Sequence, residues 1–299
     1  MKVLNFGSLN IDYVYGVEHF VRAGETLSSD SLQLFCGGKG LNQSVAFARA
    51  GAETYHAGCV GKDGAMLTDM LRAAGADTRF VRVLDDTPSG HAIIQVSRAG
   101  ENCILLCGGA NQKITPDFVD EVLSHFGAGD LLMLQNEING LDLIIRRAKA
   151  RGMTVVLNPS PFDEKITALD LSLLDALIVN ETEGKGLSGK TDPDEIISVL
   201  LSRYPKMRIV LTLGKQGAIY ADADTRAFCE ILDMPVADTT AAGDTFTGYF
   251  FSALTGGETP DRALHIATAA SAIAVSRKGA APSIPTMAEV KALLAERNF

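Results

Sequence analysis

Short apolar runs alternate with amphipathic stretches along most of this chain. Val3–Phe6, Leu131–Leu134, Thr154–Leu157, Ala176–Val179 and Ile209–Leu213 are nearly continuous apolar runs, as in strands buried on both faces. Between them, Leu41–Ala50, Gly64–Ala74, Pro116–His125, Gly140–Ala150 and Pro193–Tyr204 space their apolar residues for helices. This alternation predicts an α/β fold with a central, mostly parallel sheet covered by helices on both faces. Past Asp233 the rhythm changes. A strand-like Met234–Val236 precedes three helical patterns, Ala242–Leu254, Thr259–Val275 and Met287–Arg297. Residues 11–36 and 90–107 carry strand patterns with no helix between them, and His91–Ser97 alternates roughly apolar and polar. They predict a small projecting sheet, whose half-exposed apolar strands need cover as a lid or a dimer contact. With no long linker and no repeat, residues 1–299 are expected to form one domain.

Composition narrows the functions. The 299 residues are 46% hydrophobic and 21% charged, with a net charge of -9, which excludes disordered, collagen-like and coiled-coil classes. The acidic balance argues against a nucleic-acid surface, which needs clustered Lys/Arg, so nucleic acid is not an expected partner. A phosphate ligand must then be held by local structure rather than long-range attraction. The five cysteines are scattered without a C-x-x-C, which reads as reduced, buried thiols in a cytoplasmic protein. Met1–Gly7 runs straight into a strand, and no apolar run approaches about 18 residues, so neither a signal peptide nor a membrane span is expected.

The most specific chemistry lies in Asp238-Thr239-Thr240-Ala241-Ala242-Gly243-Asp244. Ala241-Ala242-Gly243 brings backbone close to a ligand at a helix start, where unpaired N–H groups and the helix dipole favour an anion. Asp244 sits in the first turn beside that anion and could take a proton from an attacking hydroxyl. Capping by Asp244 and Thr240 alone is the other reading. Residues 184–191 match the Walker A pattern. Four residues separate them from the preceding strand, and Asp192-Pro193 starts the next helix independently. They are expected to form a surface turn.

Six segments in register give the chain a resemblance to the ribokinase (PfkB-type) carbohydrate kinase family. They are Gly7–Asp12, Gly37–Gln43, Asn158–Pro161 with Asn180–Glu183, Thr212–Gly217, Asp238–Asp244 and Arg277–Ser283. The resemblance implies ATP-dependent phosphorylation of a pentose primary hydroxyl, D-ribose giving ribose 5-phosphate, with Asp244 as base and the N–H groups of Ala241, Ala242 and Gly243 on the transferring phosphoryl. It assigns Asn10, Asp12, Gly38, Lys39, Gly40, Asn42 and Glu137 to the sugar. Asn180, Glu183, Thr212, Gly214, Gly217, Gly243 and Thr268 are assigned to the nucleotide and its Mg²⁺. Asp238, Thr240, Ala274, Arg277, Gly279 and Ser283 fall where the family holds a monovalent cation, usually K⁺. A homodimer through the lid strands is expected.

Several of these residues also have plain structural readings. Asn10 and Asp12 suit an Asx turn at the carboxyl end of the first strand, and Asn180 suits a helix cap. A sibling kinase acting on deoxyribose or a nucleoside, and a sugar-binding homologue without catalysis, remain open alternatives.

Overall fold

The computed structural model describes residues 1–297. Its strands are β1 (Lys2–Phe6), β2 (Asn10–Val17), β3 (Ser31–Gly37), β4 (Glu53–Gly61), β5 (Asp77–Leu84), β6 (Gly90–Ser97), β7 (Asn102–Cys107), β8 (Leu131–Gln135), β9 (Thr154–Asn158), β10 (Ala176–Asn180), β11 (Arg208–Thr212), β12 (Ala218–Ala221) and β13 (Arg226–Cys229). Its helices are α1 (Lys39–Arg49), α2 (Ala65–Ala74), α3 (Pro116–Leu123), α4 (Leu141–Ala150), α5 (Glu164–Thr167), α6 (Glu181–Ser188), α7 (Pro193–Arg203), α8 (Ala242–Thr255), α9 (Pro260–Val275) and α10 (Met287–Glu296).

Within the described residues a nine-stranded sheet runs in the order β13-β12-β11-β10-β9-β8-β1-β4-β5. Its pairs are parallel from β11 to β5, while β12 and β13 add an antiparallel edge. One apolar core includes Leu41, Val45, Phe250, Ala267 and Val290 from α1, α8, α9 and α10. Another on the opposite face includes Phe118, Ile144, Leu187 and Ile196 from α3, α4, α6 and α7. The small alanines of α9 let it lie close to α8.

β4 and β5 went unread because Glu53, His56, Asp77 and Arg79 interrupt their apolar pattern. The expected strand at Met234–Val236 does not form; the segment is irregular. Pro235 cannot donate to a ladder, and Val236 stays exposed. The Walker-like segment is no surface turn either. Gly184 to Ser188 belong to α6, and Gly189 closes that helix in the left-handed region. Two of the five thiols, Cys103 and Cys107, are exposed on β7 rather than buried.

A second, mixed sheet has the order β3-β2-β6-β7, with β2 parallel to β6. Pairing across it puts Asp12, Phe35, Ala92 and Leu106 on one face, and Tyr13, Leu34, Ile93 and Leu105 on the other. Among the described residues no helix is long and apolar enough to cross a membrane.

Candidate active site

α8 begins at a strained backbone. Ala241, its N-cap, has φ 61°, a left-handed conformation that costs a non-glycine residue energy and clusters at functional sites. The chain enters from a loop held at two points. Ala237 N and Asp238 N donate to Val275 O at 2.8 and 3.1 Å. Asp238 Oδ1 accepts from Thr240 N (2.9 Å) and Thr240 Oγ1 (2.6 Å), and Oδ2 accepts from Gly279 N (3.0 Å). These bonds hold the Asp238 carboxyl below its usual range against burial, which raises it. A Cβ on Gly243 would meet nothing within 4 Å, so the helix start faces open space.

Two adjoining cavities meet at this turn. The larger, about 810 Å³, lies between the β11–β12 turn, the 231–236 loop and α9; Thr212, Gly214, Gly217 and Thr268 line it. The smaller, about 200 Å³, is lined by Lys39, Asn180, Glu183, Ala241 and Asp244. Ala242 and Gly243 border both. Asp244 is buried, and its oxygens accept from Asn42 Nδ2 (3.0 Å) and Gln43 Nε2 (2.9 Å). Asn42 Oδ1 is buried without a partner.

The Gly37–Gln43 segment docks on the end of β1. A Cβ on Gly7 would lie 2.7 Å from Gly40 Cα, so the two glycines allow the backbones to touch. Asn10 and Asp12 do not end the first strand as expected. β1 stops at Phe6, and both residues belong to β2 in the small sheet. Asn10 Oδ1 accepts from Asn111 Nδ2 at 2.7 Å. Burial, reinforced by the nearby Glu137 carboxylate, raises the Asp12 pKa to about 7. Glu137 accepts from Ser8 Oγ and from Lys39 N (2.9 Å); burial raises its pKa, against these bonds and the Lys39 charge. Burial opposes the charge on Lys39, but the carboxylates of Asp244, Glu137 and Glu183 raise its pKa on balance. The site therefore balances its acids with a buried ammonium.

Asn180 and Glu183 form a capping box. Asn180 Oδ1 accepts from Glu183 N (2.9 Å), and Glu183 accepts from Asn180 N (2.9 Å) and Nδ2 (3.0 Å). The box sits on the wall of the smaller cavity, so the plain cap reading and the site reading hold together. Of the residues expected at the cation, Asp238, Thr240 and Gly279 meet, and Ala274 lies at the end of α9. The Arg277 side chain pairs with Glu289 (2.6 Å), and Ser283 Oγ donates to Ala280 O (2.8 Å). Gln43 and Asn111 escaped the sequence reading. Gln43 lay inside a quoted motif, whereas nothing local marks Asn111, which is 101 residues from Asn10.

Residues 1–287 match the pfkB family of carbohydrate kinases. The chain belongs to that family. Among its relatives, the ribokinase of Haemophilus influenzae is 36% identical over 291 residues, 95% of each chain. The ribokinase of Staphylococcus aureus (strain COL) is 35% identical, covering 97% of this chain and 98% of its own. A solved Arabidopsis thaliana ribokinase, complexed with ribose and ATP, superposes with a TM-score of 0.87 at 30% identity, covering 98% of each chain. This family member is thus similar to ribokinases in sequence and in fold over nearly its whole length.

Proposed function

We propose that the chain transfers the γ-phosphoryl group of ATP to the primary hydroxyl of D-ribose, giving ribose 5-phosphate. The observation that carries this is Asp244: a buried carboxylate in the first turn of a helix, on the wall of the small polar cavity and next to Gly243, which borders the large one as well. Asp244 accepts the hydroxyl proton, and the N–H groups of Ala241 to Asp244 hold the phosphoryl oxygens. Asn10, Asp12, Gly38, Lys39, Gly40, Asn42 and Glu137 bind the sugar. The larger cavity takes the nucleotide, with Thr212, Gly214 and Gly217 on one wall and Thr268 on the other. Phosphoryl transfer asks mainly for positioning and charge stabilisation, which these groups supply.

Mg²⁺ fits beside Asn180 and Glu183 with its water shell retained, because both Glu183 oxygens already accept from Asn180 and this ion keeps several waters. When bound, it neutralises phosphate charge. At the Asp238–Gly279 junction both Asp238 oxygens are engaged, so a K⁺ there relies chiefly on backbone carbonyls. The small sheet presents Asp12 toward the sugar as a lid that excludes water. Its other face exposes Leu34, Ile93 and Leu105, which a second copy covers in a cytoplasmic homodimer.

An ATP-consumption screen across pentoses, deoxyribose and nucleosides, with and without K⁺, tests this reading. Turnover is expected with ribose, faster with K⁺. Binding of sugars without turnover of any would support a non-catalytic homologue, and preference for deoxyribose would reassign the acceptor. Rapid ATP hydrolysis without sugar would overturn the lid.

A further inference from the structure

Behind Asp244 runs a chain of buried amides that the phosphoryl-transfer chemistry does not itself require. Gln43 Nε2 donates to Asp244 Oδ1 at 2.9 Å. Gln43 Oε1 accepts from Gln135 Nε2 at 2.7 Å. Gln135 Nε2 also donates to Asn5 Oδ1 (3.0 Å), and Asn5 Nδ2 donates to Gly40 O (2.8 Å). Asn5, Gln43 and Gln135 are all fully buried. The chain links β1, β8, α1 and α8, and neither Gln43 nor Gln135 lines the two cavities.

Both ends of this chain fix its direction. An ionised carboxylate only accepts, so Gln43 must present its NH₂ to Asp244 and its oxygen to Gln135. Gln135 must then give both of its N–H groups, one to Gln43 and one to Asn5. Asn5 is left with its own NH₂ toward a backbone carbonyl, which also only accepts. Turning any one amide over would set oxygen against oxygen. The cost of this order is visible: with its NH₂ committed to Gln43 and Asn5, Gln135 has its oxygen turned to a side with no donor, and Oε1 is buried without a partner.

We propose that Gln43, Gln135 and Asn5 form a polar relay that positions the Asp244 carboxylate and presents it with donors only, so that it faces the acceptor hydroxyl as a proton acceptor. This rests on the reading of Asp244 as the base. Gln43 and Gln135 are positioning residues: they touch Asp244 or each other, not the sugar. The partner-free Asn42 Oδ1 fits the same arrangement. Asn42 spends its NH₂ on Asp244, so it too gives the carboxylate a donor and keeps its oxygen away from it.

Two measurements test the relay. The first uses Gln135→Met, a similar volume without hydrogen-bonding groups, at a site two residues removed from the carboxylate through Gln43. Misplacing a reacting group costs about ten- to a hundredfold in rate, so kcat should fall about tenfold or more while KM for ribose and for ATP stays within about twofold. A loss confined to melting temperature, with kcat unchanged, would overturn the proposal. The second needs no turnover. The side-chain amide protons of Gln43, Gln135 and Asn5 are followed by NMR in the wild-type protein and in Asp244→Asn. Removing the charge at one end should shift all three sets, in decreasing order along the chain. A shift at Gln43 alone would show that the amides are not coupled and would overturn the relay. Wild-type protein that turns over no sugar, yet shows the graded shifts, would sink the kinase reading and leave the relay standing.

Discussion

Asp12 makes sugar affinity depend on pH in a direction the structure dictates. Burial raises its pKa from 3.8 to about 7, helped by the Glu137 carboxylate. Glu137 already accepts from Ser8 and Lys39, so Asp12 is the carboxyl left waiting for donors. Charged acceptors hold hydroxyls roughly twice as strongly as neutral ones, so the ionised form is the binding form. With a pKa of about 7, about nine-tenths of Asp12 is ionised at pH 8 and about one-tenth at pH 6. Affinity scales with the competent fraction, so KM for ribose should rise about tenfold from pH 8 to pH 6. KM for ATP should not follow it.

The stability sign agrees. A carboxyl whose pKa is raised by folding favours the folded state at low pH and loses that advantage as pH rises from 3.8 toward 7. The upper bound on this change is about 4 kcal/mol. Ribose, by supplying donors, should restore part of it, so its gain in melting temperature should be larger at pH 8 than at pH 6. Initial-rate kinetics and thermal melts across that range are the assays. Asp12→Asn should raise KM and flatten both profiles. A wild-type KM that is level with pH, or a slope that survives in Asp12→Asn, would refute the reasoning.

Other outcomes follow from the same geometry. Asp244→Asn should lower kcat by orders of magnitude with the fold intact; near-normal turnover would remove Asp244 as the base. Gly37→Ala places a Cβ 2.5 Å from Asp12 Cγ, so it should raise KM for ribose more than it lowers kcat, and equal effects on both would argue against a local displacement. Leu105→Lys puts a charge on the outward face of the small sheet and should yield monomers in light scattering, provided the wild-type protein is dimeric there; a wild-type monomer would reject the dimer. Bonds from Thr286 and Arg277 hold the Glu289 pKa down to about 2. The folded state is favoured above the ordinary Glu range and loses this support as pH falls through 4.5 toward about 2. Glu289→Gln should therefore cost about 1 kcal/mol at pH 7 and nothing measurable near pH 2, as urea titrations at the two pH values would show.

Legibility in the sequence followed the range of the forces involved. The buried strands β8 to β11 and the helices packed on them were readable because hydrophobic period is local. β4 and β5 were not, since what offsets their polar residues carries no periodic signal: His56 Nδ1 meets Ser44 Oγ of α1 at 2.8 Å, and Arg79 pairs with Asp77 within β5 itself. The turn at Ala241–Asp244 was readable for the same reason as the strands, because a helix start with small residues is a property of a few neighbours. Whatever depends on long-range pairing was invisible. Asp12 looked like the end of a strand because nothing nearby says that Gly7-Ser8-Leu9 leads it into a second sheet. The pairing of Arg277 with Glu289 was equally hidden, because Glu289 lies 12 residues on, in α10.

The acidic charge of the chain follows a similar logic. A net charge of -9 repels phosphate at long range, yet screening at physiological salt confines that repulsion to about 8 Å. Inside the site the balance is different. Lys39 keeps its charge because Asp244, Glu137 and Glu183 outweigh its burial. Acids inside the site thus hold an ammonium on the wall of the smaller cavity, beside the N–H groups that open α8. If Lys39 supplies the local positive charge, Lys39→Met should weaken ATP binding at every salt concentration, whereas a purely long-range effect would fade as salt is raised. Isothermal titration in low and high KCl separates the two, and a Lys39→Met defect that disappears in high salt would place the phosphate elsewhere.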